Sequence, residues 1–317
     1  MAEARFSVTF AGPHVSIQDG GRTGYMRFGV PASGPMDRAG FAMANVALGN
    51  PWQAAAIEVS MLGLTLACAA GTVTLGLAGG GFKVQLGEEV LPGWSVVTIR
   101  AGERLTIQPG SWGTWTYIAF AGQLEAASWL GSLATHATSG LGGGKLATGQ
   151  ELVVRDAAVR ERRHGPIACP DWARPRSEPH VVLGPQSRFF SATTIETFLA
   201  TTFSLSDAYD RMGVRLRGPA LIPDGALSIP SAPISRGSVQ VSGDGAATVL
   251  LADHQTTGGY PKIATMLADD VSGFAQNRPR DTVAFRSITP AEAVRMARQA
   301  AVVRTAHIAS LARREGD

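Results

Sequence analysis

Charge, lysine and cysteine are all scarce in this chain. Of its 317 residues only 17% are Asp, Glu, Lys or Arg, and lysine stands only at Lys83, Lys145 and Lys262. So low a charged fraction argues against a mainly helical protein, whose exposed faces normally carry more charge. The formal charge of +3 and the isoelectric point near 9.1 come from scattered arginines. No basic stripe interleaved with aromatics is present, so nucleic acid is not an expected partner. Cys68 and Cys169 are too few and too far apart for a disulfide framework or a zinc site, and no metal is expected. Long apolar runs are missing too. The longest, Val59 to Ala70, is broken by Ser60, Gly63 and Thr65 and falls short of the ~20 residues a membrane helix needs. Met1-Ala-Glu-Ala-Arg-Phe6 enters a strand pattern directly, without the regions of a signal peptide. The expectation is a soluble, cytoplasmic protein without a membrane partner.

What is abundant is glycine, at 38 residues, with 18 prolines. That composition favours many turns and a β-rich fold, and the length suits two domains at the usual ~150 residues each. Phe6 to Phe10 alternates as a strand and stops at Gly12-Pro13. From Ala56 to about Val154, glycine recurs at Gly71, Gly79-Gly80-Gly81, Gly87, Gly93, Gly110 and Gly122, which predicts short strands separated by turns. Arg155 to Pro179 is polar and proline-rich and reads as a linker. Beyond it, Val181-Val182-Leu183-Gly184-Pro185 restates Thr9-Phe10-Ala11-Gly12-Pro13. Asp210-Arg211-Met212-Gly213 echoes Asp19 to Gly24, and Ala247 to Leu250 answers Thr72 to Leu75. Echoes one domain length apart imply two similar β domains from a duplication. The predicted boundaries are 1–165, a linker at 166–179, 180–288, and a C-terminal helix over 289–317. That helix opens with the capping box Thr289-Pro290-Ala291-Glu292. Its apolar stripe is Val294, Ala297, Ala301, Ile308 and Leu311, kept soluble by arginines including Arg313 and Arg314. A second helix follows Asp37 as N-cap and ends at Gly49.

Two polar, glycine-rich stretches carry the candidate chemistry. The late one, Asp253-His254-Gln255-Thr256-Thr257-Gly258-Gly259-Tyr260-Pro261-Lys262, follows the apolar run Ala246 to Ala252. Its paired glycines permit positive φ, so that successive N–H groups can converge on an anion or a polarised carbonyl. The early one holds Gln18, Asp19, Arg22, Tyr25, Ser33 and Asp37, a dense set of hydrogen-bonding groups for a connecting loop. Gly140 to Lys145 fails as a phosphate loop, because Ser139 stands where its first glycine belongs and Leu146 where Ser or Thr belongs. No serine-hydrolase elbow and no His-x-x-x-His pair occurs.

Five segments carry a resemblance. They are Gln18-Asp19-Gly20-Gly21-Arg22-x-Gly24-Tyr25, Gly29-Val30-Pro31-x-Ser33-Gly34-x-x-Asp37, Ala44-Asn45 with Gly49-Asn50, Asp210 to Gly218, and Gln255-Thr256-Thr257-Gly258-Gly259-Tyr260-Pro261. Together they resemble the biotin-dependent carboxyltransferase or allophanate hydrolase subunit 2 family, which includes the C subunit of 5-oxoprolinase and the Kip antagonist. The resemblance runs to about Ile288 and implies two tandem cyclophilin-like β-barrel domains. It also implies work with a subunit 1 family partner, which is the B subunit of 5-oxoprolinase or a Kip inhibitor-like protein, and with the A subunit of 5-oxoprolinase as a further partner. Where relatives carry arginine and aspartate, this chain has Leu133 and His136, and Gly149-Gln150 replaces their Gly-Asp.

The function this implies first is ATP-dependent opening of the 5-oxoproline lactam, with ATP held by this chain or by a partner. The oxyanion or phosphate would be met by Gly258, Gly259, Thr256, Thr257 and Arg22, and the base would be Asp253, His254 or Asp19. Gln18, Tyr25, Ser33, Asp37, Arg211, Gln255, Tyr260 and Lys262 complete the expected small-molecule amide site. The second implied function is carboxyl transfer from biotin on a separate carrier, since none of the three lysines has a biotinyl context. The third is a non-catalytic antagonist that sequesters a kinase inhibitor.

Overall fold

The computed structural model describes residues 2–224 and 228–313, and the chain divides into two compact units. One comprises residues 1–22, 33–174 and 304–317, the other residues 23–32 and 175–303.

The first unit is built on an antiparallel sheet of eleven strands among the described residues. Its centre is a pair of long strands, Thr72–Leu86 and Arg104–Phe120, paired from Leu75 opposite Phe120 to Leu86 opposite Leu105 with register shifts between Gly79 and Gly81 and between Gly81 and Lys83. Phe6, Phe41, Tyr117, Phe120, Ile57 and Leu77 fill the core at 1% exposure or less. Here the glycine reading is corrected, because Gly79 to Gly81 and Gly110 lie inside these strands, not in turns between them. They serve close approach. A Cβ on Gly110 would stand 1.7 Å from the carbonyl oxygen of Gly81, and one on Gly79 would stand 2.5 Å from the Cα of Thr116. The helix Arg38–Ala47 packs on that surface, since a Cβ on its Gly40 would come within 2.8 Å of the Cα of Gly79.

The second unit holds an eight-stranded sheet among the described residues, running from Thr282–Ala284 through Thr202–Tyr209, Gly213–Arg217, Ala247–Leu250, Ser238–Val241, Lys262–Met266 and His180–Leu183 to Arg286–Ser287. The first and last strands of that path are separated in the chain only by Phe285, so the sheet comes nearly back on itself as a barrel. Phe285 stacks on Phe198 with ring centroids 4.8 Å apart, and Val214, Val239, Val249 and Ile263 are fully buried. This is the mainly β architecture that the resemblance implies.

The capping box of the helix Pro290–Ala312 forms as read. Thr289 N donates to Glu292 at 2.8 Å, and Glu292 N donates to the Thr289 hydroxyl at 3.2 Å. Its expected apolar stripe is only partly buried. Leu311 is 6% exposed, but Val294 is 51% exposed, and Val302 and Val303 also face solvent. Arg314 lies outside the described residues. Within the span 155–179, Arg163 and Ala173 are buried, and Gly165–Pro166 pairs with the strand Ser95–Arg100. No helix among the described residues is long and apolar enough to cross a membrane.

Candidate functional site

In the second unit the turn Asp210 to Gly213 joins two neighbouring strands and is closed by Asp210, whose carboxylate accepts from Met212 N at 2.8 Å and Gly213 N at 3.2 Å. That turn presents Arg211 to Asp253. Arg211 Nε and one Nη each lie 3.0 Å from a different carboxylate oxygen, with both side chains at 1% exposure or less. The backbones are stitched as well, Asp253 N donating to Arg211 O at 2.8 Å and Leu251 N to Met212 O at 2.9 Å. A forked, dry ion pair therefore pins the start of the late loop.

Beside it, His254 is 6% exposed and its Nδ1 lies 2.7 Å from the carbonyl oxygen of Gln255. A carbonyl only accepts, so Nδ1 bears a hydrogen, and in the neutral ring the lone pair is on Nε2. Further along, Thr257–Gly258 pairs with Ala232–Pro233, the Thr256 carbonyl accepts from Ile234 N, and the Gly259 carbonyl accepts from Ile229 N. Neither Gly258 nor Gly259 adopts positive φ. The paired glycines thus do not form the anion nest that their sequence allowed. Gly258 instead packs closely, since a Cβ there would stand 2.6 Å from the tip of the Ile234 side chain and 2.7 Å from Gln240 Nε2. That packing brings Gln240 to the Tyr260 carbonyl at 3.3 Å and to Gln255 at 3.4 Å. Gln240, Gln255 and Tyr260 line a cavity of about 320 Å³ together with Met212, Arg215 and Thr248. Lys262 opens the next strand and is 1% exposed.

In the first unit Asp19 and Arg22 converge on a different target. Asp19 accepts from Gly21 N at 2.9 Å, the Ser132 hydroxyl at 2.7 Å and Leu133 N at 2.7 Å. Arg22, 1% exposed, donates to the carbonyls of Trp129 at 2.9 Å and Ala134 at 2.8 Å and lies over the Trp129 ring at 4.4 Å. Gln18 donates to Ser16 and to the Thr135 carbonyl. Asp19 holds Leu133 by its backbone N–H, a contact that does not depend on the side chain at that position. Ser33 is buried with φ of 53°, and Gly34 follows at φ of 82°. A Cβ on Gly34 would lie 3.1 Å from the Cα of Gly21, so residues 18–22 and 33–37 form one packed surface.

Asp37 caps its helix, accepting from Ala39 N at 2.9 Å and Gly40 N at 3.1 Å. It also belongs to a buried cluster that sequence reading missed. Asp37 N donates to the Tyr117 hydroxyl at 2.7 Å, and that hydroxyl donates to Glu58 at 2.9 Å. Met36 N donates to the same carboxylate oxygen at 2.7 Å. Burial, then the charges of Glu58 and Asp37, push the Tyr117 phenol well above its ordinary value. A lone carboxylate inside Ala55-Ala56-Ile57-Glu58-Val59 was the available signal. Tyr25 belongs to the second unit, where it precedes a short 3-10 turn, Met26–Phe28.

The carboxyltransferase domain family, subdomains A and B, matches residues 28–287. The chain belongs to this family. Among relatives of this carboxyltransferase-domain protein, the C subunit of 5-oxoprolinase from Escherichia coli K12 is 31% identical over 84% of this chain and 86% of its own. The Haemophilus influenzae protein of the same name is 31% identical over 90% and 91%. The crystal structure of Kluyveromyces lactis urea carboxylase matches with a TM-score of 0.84 at 25% identity, covering 98% of this chain and 29% of that one.

Proposed function

We propose that this chain is the C subunit of an ATP-dependent 5-oxoprolinase, acting on the lactam bond of 5-oxoproline. Its partners in this reading are the B subunit, from the subunit 1 family, and the A subunit. The single observation that carries the reading is end-to-end similarity, at 31% identity, to two proteins named as the C subunit of 5-oxoprolinase.

Lactam opening needs an oriented amide, a proton acceptor for the attacking water and a proton for the departing nitrogen. Among the three candidate bases, Asp253 has both oxygens on Arg211, and Asp19 accepts three hydrogen bonds within its own unit. Both carboxylates are thus engaged by the protein's own donors. His254 has its tautomer fixed by the Gln255 carbonyl, so we assign Nε2 as the group that takes the proton from water and returns it to the lactam nitrogen as the C–N bond breaks. Arg211 and Asp253 position that ring, while Gln255, Gln240 and Tyr260 hold the polar edges of the ring substrate.

The described residues do not fit a nucleotide. In the glycine run, Gly140 N, Gly143 N and Gly144 N are spent on His136, Leu133 and Thr135, and the three buried arginines, Arg22, Arg163 and Arg211, all donate to protein acceptors. We therefore assign ATP to one of the partner proteins and derive no step through it on this chain. The likeness to urea carboxylase supports carboxyl transfer with a separate biotin carrier as the second reading. Purified chain, alone and with the A and B subunits, separates the two. 5-Oxoproline-dependent ADP release only in the mixture supports the first. Release driven by urea and a biotinylated carrier, with none from 5-oxoproline, rejects it.

A further inference from the structure

Arg215 is the one cation among the described residues that line the cavity beside the late loop, and the chemistry above does not use it. The strand ladders place it there. Arg215 stands directly opposite Thr248, and Thr248 directly opposite Gln240, with no register shift in either pairing. Opposed residues of antiparallel strands project from one face of the sheet, and all three of these line the cavity. They form a row across three neighbouring strands, with Arg215 and Gln240 at its ends, about 10 Å apart at the backbone. The row runs inward from solvent. Arg215 is exposed, Thr248 is half-buried and Gln240 is buried, where it meets the Gln255 side-chain amide. The guanidinium at the outer end has donors to spare. Its single contact among the described residues is one Nη 2.8 Å from Asp244, in an ion pair whose side chains are 53% and 60% exposed. A pair so exposed is weak, and it leaves the remaining N–H donors of the fork for a second carboxylate. Asp210, the one acid in the lining, is engaged by its own turn, accepting from Met212 N and Gly213 N.

We propose that Arg215 is the carboxylate-binding residue of this cavity, which takes a small carboxylic acid that also carries an amide. The acid group lies on the guanidinium and the amide lies against Gln240 and Gln255, with Thr248 between. Naming the acid as 5-oxoproline rests on the 5-oxoprolinase reading.

The test removes the charge from either side of the contact. The full chain, with its partner proteins, is labelled at the arginine side chains for NMR, and Arg215→Met assigns the Arg215 signal by its disappearance. The expected result is that 5-oxoproline, and acetate at higher concentration, move that signal. Kd for 5-oxoproline should rise about tenfold or more in Arg215→Met, the loss of one charge-assisted contact. 2-Pyrrolidinone, the same ring without the carboxylate, should bind both proteins equally. Asp244 does not line the cavity, so Asp244→Asn, which breaks the same surface ion pair, should keep the wild-type Kd or lower it. Equal losses for 5-oxoproline and 2-pyrrolidinone in Arg215→Met overturn the subsite, and so does the same loss in Asp244→Asn, because Arg215 then only shapes the loop. Turnover of 5-oxoproline with an unmoved Arg215 signal overturns the subsite and leaves the function standing. A response to acetate with neither binding nor turnover of 5-oxoproline keeps the subsite and removes 5-oxoproline as its acid. No response to either carboxylate overturns the subsite.

Discussion

Each unit buries one arginine at 1% exposure beside an aspartate, and the two use it differently. In the first unit Arg22 donates to the carbonyls of Trp129 and Ala134 while Asp19 collects N–H and O–H donors from the same segment, so both charges tie down one loop. In the second unit Arg211 grips Asp253 directly. One arrangement is a loop clamp and the other an ion pair. The clamp distributes its charge over dipoles that stay satisfied one by one, whereas the ion pair fails as a whole when either member is neutralised.

Breaking the pair should give the largest effect. Asp253→Asn leaves the Arg211 guanidinium dry and unneutralised, and denaturant unfolding should show a loss of about 3–5 kcal/mol, the usual cost of halving a buried pair. Arg22→Ala should cost less, about 2–4 kcal/mol for two charge-assisted hydrogen bonds and a ring contact. Limited proteolysis should then cut between residues 129 and 146 while the second unit stays resistant. Tyr117→Phe removes the hydroxyl that accepts from Asp37 N and donates to Glu58. Thermal unfolding should register about 1–3 kcal/mol for groups left buried and unsatisfied.

Lys262→Met should act in the opposite direction and least. Burial holds the Lys262 pKa below its ordinary 10.5. The unfolded chain therefore binds that proton more tightly, and stability should rise with pH between the lowered folded value and 10.5. Lys262→Met should abolish that rise and be the more stable protein below the window. Parallel stability profiles for the two proteins would contradict the burial of a charged amine.

The same contrast explains what the sequence revealed. Signals written in a few adjacent residues were legible: the Thr289 to Glu292 capping box, the Asp37 cap, the turn at Asp210 and the strand before Asp253. Features set by distant partners were not. Glycine at Gly79 to Gly81 looks the same in a turn as in a strand that crosses another closely, and only Thr116 and Gly110 across the ladder distinguish them. Gly258 and Gly259 suggest torsional freedom by residue type, but neither takes positive φ in the fold. Glu58 and Tyr117, nearly sixty residues apart, could be joined only by the sheet. Asp253 offers a base by residue type, and nothing local announces that Arg211, from another strand turn, occupies it.

The central claim is that the late loop supplies the proton acceptor at His254 while Arg211 and Asp253 only position it. The most direct measurement is 5-oxoproline-dependent ADP release by the assembled enzyme, comparing His254→Gln with wild type across pH, with folding checked by unfolding curves. The account predicts a folded complex that binds 5-oxoproline with little change in affinity but turns it over about 10²–10⁴-fold more slowly and without the acid-side fall in rate that protonation of a histidine base produces. Wild-type turnover in His254→Gln, with the same pH profile, would contradict it.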